Sequence, residues 1–113
     1  MKFPKKNKYN VAAKSLRTHN GVVFDSKKEM IFQKQLELLV KAKEVVSFER
    51  QIPYQIIVNG QKICKYILDF IVVYADGKTE YIDVKSPATA KLPVYRLKKK
   101  LMKAVHGIEI TEK

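Results

Sequence analysis

The 113-residue length fits one domain, and the 46% hydrophobic content is too high for a disordered chain. A charged fraction of 30%, with no apolar run approaching about 18 residues, excludes a membrane-spanning helix. Cys64 has no second cysteine to pair with and no secretory signal opens the sequence, so an intracellular, reducing compartment is expected.

The net charge of +12 is concentrated in two segments. Residues 1–20 and residues 86–103 each carry six Lys or Arg and no acid, whereas residues 21–85 carry ten bases and nine acids. Basic segments beside a nearly neutral body favour a polyanionic partner, because Lys and Arg placed on phosphates release condensed counterions. Nucleic acid is the expected partner and a membrane is not; a basic surface that serves only solubility is the alternative.

The first basic segment, residues 1–20, shows no sustained apolar period. It is predicted to be a basic arm that is flexible when free, which leaves residues 21–113 as a single domain. The residues of the arm that are candidates for phosphate contact are Lys5, Lys6, Lys8, Lys14 and Arg17.

A helix is predicted from about residue 27 to residue 43. Ser26 and Glu29 have the spacing of a capping box immediately before an apolar periodic run. Glu29 also falls on the same helical stripe as Phe32 and Leu36, the stripe that faces the core. Glu29 can therefore serve as a cap, as an inward-facing acid, or as both.

Three antiparallel strands are predicted next, as a meander. Asn59-Gly60 is a strong hairpin signal between a strand at residues 54–58 and a longer strand at residues 61–74, while Pro53 marks a strand start or a sheet edge. The apolar run in the second strand predicts a central position, and Asp76-Gly77 predicts a turn into a third strand at residues 79–85.

A second helix is predicted from Pro93, which suits a first helical turn, to a cap at Gly107, followed by a short strand at residues 108–111. The order helix, three strands, helix, strand predicts an α+β (α/β) domain with a mixed sheet. The residues of this second basic segment that are candidates for phosphate contact are Arg96, Lys98, Lys99 and Lys100.

Asp69 interrupts an otherwise apolar strand, where an ionised carboxylate costs several kcal/mol unless something compensates it. Asp83 and Lys85 are two apart, so they share a strand face, and the hairpin brings that strand beside Asp69. Two close carboxylates suit a hard divalent cation such as Mg²⁺. An ordinary cross-strand ion pair with Lys85 is the alternative, and the spacing leaves both open.

An aspartate, a hairpin turn and Asp83-Val84-Lys85 together resemble the PD-(D/E)XK nuclease superfamily, whose common core is similar to the predicted order of elements. The resemblance implies that Asp69, Asp83 and the backbone carbonyl of Val84 bind Mg²⁺, for which Mn²⁺ would substitute. It further implies that Lys85 orients the attacking water and steadies charge on the phosphate, with no small-molecule cofactor. Leu68 stands where the superfamily's name-giving proline would be.

The resemblance also implies a role for an acid on the first helix, a place that Glu29 fits, although the capping box explains Glu29 equally. Gln51 precedes the hairpin strand and lines a cleft or a strand surface; the surface position is the preferred interpretation. His19 and His106 lack the spacing of paired metal ligands.

Residues 24–29 and residues 95–100 look like those of small phage-encoded nucleases similar to endonuclease I and the Holliday-junction resolvases. This resemblance implies a homodimer that cuts branched DNA in the host cytoplasm. The alternatives are a non-specific or nicking nuclease of the same chemistry, and a nucleic-acid-binding protein without catalysis.

Overall fold

The computed structural model describes residues 12–113. A 3-10 helix, Lys14–Arg17, opens this part of the chain. The α-helices α1, α2 and α3 have the bounds Lys27–Lys41, Pro87–Ala90 and Pro93–His106. The strands β1 to β6 have the bounds Thr18–His19, Val22–Val23, Val45–Val58, Gln61–Tyr74, Thr79–Asp83 and Ile110–Glu112. No helix within residues 12–113 is long and apolar enough to cross a membrane.

The main sheet has four strands in the order β3-β4-β5-β6. The first three strands form an antiparallel meander, and β6 is parallel to β5, with Ile110 facing Tyr81. The predicted α+β class with a mixed sheet is therefore confirmed, and β4 has a strand on each side, as its apolar run predicted. Asn59 and Gly60 have φ values of 51° and 76°, the left-handed conformations that a two-residue hairpin turn of this kind requires.

Several element bounds differ from the prediction. β3 begins at Val45 instead of residue 54, and Pro53 lies inside it opposite Ile67. Proline is tolerated in β3 because β3 is an edge strand, in which alternate N–H groups face away from the sheet. β5 ends at Asp83, and the loop expected before Pro93 contains the short helix α2.

Residues 14–19 of the predicted basic arm form the 3-10 helix and strand β1. β1 pairs with β2 across Asn20-Gly21, whose φ values are 51° and 77°. The Phe24 N–H donates to the Arg17 carbonyl at 2.9 Å, and the Arg17 guanidinium donates to the Phe24 carbonyl. The boundary expected after residue 20 therefore runs through a hairpin that is tied to the following chain.

Two hydrophobic clusters lie on opposite faces of the sheet. On one face Leu36 of α1 packs with Phe70 and Val72 of β4. On the other face Met102 of α3 belongs to the cluster that Ile71 joins. Since neighbouring residues of a strand point to opposite faces, α1 and α3 enclose the sheet between them.

Both strands of the long hairpin change face at one point. Leu68 packs in the α3 cluster and Phe70 in the α1 cluster, although residues two apart in a regular strand share a face. β4 therefore turns about its axis at Asp69. Gln51 of β3, which has a left-handed φ of 55°, lies at the same level, between the pairs Arg50–Phe70 and Ile52–Leu68.

Ser26 caps the helix that carries Glu29, with its Oγ accepting the Glu29 N–H at 3.0 Å. We expect Ser26→Ala to lower the free energy of unfolding by about 1 kcal/mol, because a helix N-terminal N–H loses its partner. Thermal denaturation measures this as a melting temperature lowered by a few degrees. Ser15→Ala, at an exposed position of the 3-10 helix, is the matched control, and equal melting temperatures for both variants would contradict the capping role.

Candidate active site

Three carboxylates come together inside the domain: Glu29 from the first turn of α1, Asp69 from β4 and Asp83 from the end of β5. Their relative exposures are 2%, 7% and 0%. Burying three acids is unfavourable unless hydrogen bonds or a cation compensate them. Sequence reasoning selected all three as candidate site residues.

Asp69 and Asp83 hold each other in place through the backbone. The Asp69 N–H donates to Oδ1 of Asp83 at 3.1 Å, and the Val84 N–H donates to Oδ2 of Asp69 at 2.9 Å. The second oxygen of Asp83, Oδ2, is buried and has no hydrogen-bond partner among residues 12–113. A buried carboxylate oxygen without a partner is costly, so a cation or donor reaching it would stabilise the site.

The carboxylate of Glu29 belongs to this cluster and is not the second half of a capping box. Its Oε1 accepts from Nε2 of Gln51 at 3.0 Å and from Nη2 of Arg50 at 3.3 Å. Only the backbone N–H of Glu29 takes part in the cap, through Ser26. The two roles that the sequence left open are therefore divided between the backbone and the side chain of one residue.

The preferred interpretation of Gln51 as a surface strand residue is wrong. Its amide nitrogen lies 3.0 Å from Glu29 Oε1 and 3.5 Å from Asp69 Oδ1, so it joins the two acids. Its neighbour Arg50 places its guanidinium 4.3 Å from the centre of the Phe24 ring. Sequence reasoning missed Arg50, and it misplaced Gln51 because an unremarkable dipeptide gives no signal of the local left-handed backbone.

Lys85 follows the end of β5, close to both aspartates but in no ion pair with either among the described residues. Its Nζ lies 5.0 Å from the centre of the Tyr95 ring, and its carbonyl accepts from Nζ of Lys28 at 2.8 Å. The direct cross-strand ion pair, which the sequence left as an alternative, is thus not formed. The ammonium group of Lys85 is left free of a carboxylate partner within the described chain.

A cavity of about 480 Å³, here called the site cavity, opens beside these groups. Its walls include three acids and three lysines, namely Asp25, Glu29, Asp69, Lys27, Lys28 and Lys85. Asp83 does not line it and lies fully buried. A cavity with acids and lysines in its walls suits a ligand that itself carries both signs of charge, such as a phosphate with a divalent cation.

The pKa of the Glu29 carboxyl is raised to about 7, first by burial and then by the nearby charges of Asp69 and Asp25, against the opposing effect of Arg50. Burial also raises the pKa values of Asp69 and Asp83, and in both cases the positive charge of Lys85 opposes it. All three acids are therefore short of positive charge, which is the electrostatic condition that favours cation binding.

The raised pKa of Glu29 makes the stability of the metal-free protein depend on pH. A carboxyl whose folded pKa lies above its unfolded value stabilises the fold at low pH and loses that contribution as pH rises through about 7. In EDTA the melting temperature should therefore fall as pH rises from about 4.5 to about 7 and level off above that. Glu29→Gln should remove much of this fall, while Glu109→Gln at an exposed position should not; parallel curves for both variants would contradict the assignment.

The comparisons with known proteins place the chain in a family. A family model described as "Protein of unknown function (DUF1064)" matches residues 6–110. The chain belongs to DUF1064. No curated protein and no solved structure matches the sequence. The DUF1064 match includes the whole site from Glu29 to Lys85, but the family's description names no activity, so the functional conclusion depends on the site itself.

The donor set of this DUF1064 chain limits how a metal could bind. Within residues 12–113 no group of three or more His, Cys, Asp or Glu side chains is arranged to hold a metal ion. His19 lies 2.8 Å from Glu37 and His106 lies 2.8 Å from the Gln55 carbonyl, so neither faces the site. A cation here would depend on two aspartates, a backbone carbonyl and water.

The candidate phosphate contacts do not form a single stripe. Lys5, Lys6 and Lys8 lie outside the described residues, Lys14 is exposed on the 3-10 helix, and Arg17 uses its guanidinium on backbone carbonyls. On α3, Lys98 donates to the Lys65 carbonyl of β4 at 3.3 Å, whereas Lys99 donates to Glu112 of β6 at 3.0 Å. Arg96 and Lys100 line a cavity with Lys99, so the basic residues of α3 divide between its two sides.

Proposed function

We propose that this DUF1064 protein is a metal-dependent DNA endonuclease of the PD-(D/E)XK type. The observation that supports it most is the position of Asp69 beside Asp83. Asp83 accepts the backbone N–H of Asp69, and Asp69 accepts that of Val84. Glu29 and Lys85 line the adjoining cavity. The element order from α1 to β6 is similar to the core of that superfamily. Four residues chosen from the sequence therefore meet around one place.

The residues fit a divalent cation in one respect that does not depend on resemblance. Oδ2 of Asp83 is a buried carboxylate oxygen without a partner in residues 12–113, and burial raises the pKa values of the acids around it. Asp69, Asp83 and the carbonyl of Val84 would hold Mg²⁺, with Mn²⁺ as a substitute. When bound, the ion would supply charge stabilisation to the phosphoryl group and a water of lowered pKa.

The chain's own residues would do the rest. Lys85, which has no carboxylate partner, would donate to the phosphate and orient the attacking water. Glu29 would help position that water, held in place by Gln51 and Arg50. Lys27 and Lys28 in the cavity wall would offset phosphate charge. Hydrolysis by this route needs no protein nucleophile.

DNA as the substrate is supported by the net charge of +12 and by the lysines at the site cavity, which suit contacts to phosphates, and phosphate contacts carry no sequence information. Recognition would then depend on DNA shape and phosphate position, which suits branched DNA such as a four-way junction. Two symmetric cuts require two sites, so we propose that the protein acts as a homodimer.

The test is cleavage of a four-way DNA junction and of linear duplex of matched sequence, each with Mg²⁺ and with EDTA. The proposal expects Mg²⁺-dependent cleavage that is faster on the junction. Equal cleavage of both substrates would favour a non-specific or nicking nuclease of the same chemistry. Binding of DNA without cleavage of either substrate, in Mg²⁺ or Mn²⁺, would contradict the proposed enzyme activity and favour a nucleic-acid-binding protein without catalysis.

A further inference from the structure

A second cavity of about 400 Å³ lies between β4 and the first turns of α3, and we call it the flanking cavity. It shares Lys85 with the site cavity, so the two meet at the residue proposed to touch the reacting phosphate. A DNA strand that occupied both cavities would pass the ammonium group of Lys85. The flanking cavity is therefore placed to receive the part of a substrate next to the bond that is cut.

The walls of the flanking cavity are mostly apolar and aromatic, with lysines among them. Ile67 and Val94 are 49% and 66% exposed, although both are β-branched residues that usually pack inside. Tyr95 adds an aromatic ring, and Lys65 and Lys98 supply positive charge. Aromatic and apolar surface beside lysines is the chemistry that binds a nucleotide, with the base on the ring and the phosphate on the ammonium groups.

Tyr66 forms the base of the flanking cavity and packs in the hydrophobic cluster of α3. It is 95% buried by side-chain packing, since only 5% of it is exposed, and it lines the flanking cavity. Its hydroxyl is buried with no hydrogen-bond partner among residues 12–113. Because this hydroxyl is closed off from solvent, it does not face the open cavity, and Tyr66 contributes packing behind the wall.

The two sides of α3 differ in how their lysines are used. On the side away from the flanking cavity, Lys99 and Lys103 are paired with Glu112 and Glu109 at 3.0 and 3.4 Å. On the side of the flanking cavity, Lys98 bonds only a backbone carbonyl, that of Lys65, and keeps its full charge available. Lys98 is thus the better phosphate contact near the site.

We propose that the flanking cavity binds an unstacked nucleotide adjacent to the scissile phosphate, with its base against Tyr95 and Ile67 and its phosphate on Lys98. This inference rests on the proposed function and deepens it. A base inside a continuous duplex is stacked on both faces and is reached only by paying for unstacking. The flanking cavity therefore selects DNA that already has an unpaired nucleotide beside the cut, as at a branch point.

The experiment measures binding in EDTA, so it does not depend on cleavage. One probe is a DNA duplex with a single unpaired 2-aminopurine, and the other is the same duplex fully paired. Entry of the base into the flanking cavity should change the fluorescence of the unpaired 2-aminopurine, because stacking on an aromatic ring quenches it. The fully paired duplex should show little change.

Lys98→Met should weaken binding of the unpaired probe by about tenfold more than binding of the paired probe, as expected for loss of one charge-assisted phosphate contact. Lys103→Met, on the other side of the same helix, is the matched control and should weaken both probes equally. Tyr66→Phe is a second control: it should leave the affinity for both probes unchanged while the melting temperature stays equal or rises, because it removes only a buried hydroxyl without a partner in the described chain.

The outcomes separate this inference from the proposed function. If junctions are cleaved but Lys98→Met and Lys103→Met behave alike on both probes, the nuclease stands and the flanking cavity does not bind the nucleotide. If no substrate is cleaved but the two probes and the variants differ as described, the nucleotide site stands and the proposed nuclease activity is contradicted. If neither probe binds, the nucleotide site is overturned, and junction cleavage alone decides the proposed nuclease.

Discussion

Asp83→Asn is expected to reduce Mg²⁺-dependent cleavage by on the order of 10³-fold or more, because metal positioning and charge stabilisation supply several kcal/mol of the barrier reduction. The fold should survive the change. Asparagine keeps an oxygen that accepts the Asp69 N–H, which Asp83 accepts at 3.1 Å, and it removes a buried negative charge. In EDTA, the melting temperature should stay equal or rise, and DNA binding should persist or tighten.

Asp76→Asn is the matched control for this experiment. Asp76 also accepts a backbone N–H, that of Lys78 at 2.9 Å, but it lies in the exposed turn between β4 and β5. Its substitution should leave cleavage at the parent rate. Asp69→Asn should behave as Asp83→Asn does, and a stable Asp83→Asn protein that cuts junctions as fast as the parent would end the catalytic assignment.

Lys85→Met is expected to lower the rate of cleavage by about 10²- to 10⁴-fold, the range for loss of a group that assists proton transfer at the reacting centre. Methionine keeps the length of the aliphatic stem beside Tyr95, so packing changes little. Because Lys85 forms no ion pair with Asp69 or Asp83, the substitution breaks no carboxylate partnership in the described chain. The readouts are single-turnover cleavage with Mg²⁺ and DNA affinity in EDTA.

Lys78→Met, on an exposed lysine of the β4–β5 turn, controls for the loss of one positive charge. Lys78→Met should leave both DNA affinity and cleavage rate near the parent values, while Lys85→Met should lose some affinity and much more rate. If Lys85 contributes only general positive charge, Lys85→Met and Lys78→Met should lose the same affinity and the same rate. That result would contradict the proposed role of Lys85 at the phosphate.

Much of the fold could be predicted because local signals and the final structure agree. The Asn59-Gly60 turn, the apolar run of β4 and the left-handed cap at Gly107, with φ of 69°, all formed as their sequence patterns indicate. Each of these depends on only a few neighbouring residues. Asn20-Gly21 carries the same turn signal, but the strands beside it have only two residues each, too short for any alternation to reveal them.

The site could be predicted as a set of residues but not as a geometry. Asp69, Asp83 and Lys85 were identifiable because charged residues in or beside apolar strands need an explanation. That Lys85 would stand apart from both aspartates depends on β5 ending at Asp83, and the ring of Tyr95 arrives from α3 far along the chain. The unpartnered oxygen of Asp83 is likewise a product of packing, which no spacing encodes.

The left-handed backbone of Gln51 gives the candidate active site a standing conformational penalty. A glycine at this position would adopt φ of 55° more readily, but it would carry no amide to join Glu29 and Asp69. Local backbone preference and the arrangement of the acids are thus in opposition at one residue. The hairpin as a whole holds Gln51 in this conformation, because β3 packs in one hydrophobic cluster before Gln51 and in the other cluster after it. The site therefore lies where the hairpin passes from one hydrophobic cluster to the other, and the positions of its carboxylates depend on how the two clusters are connected.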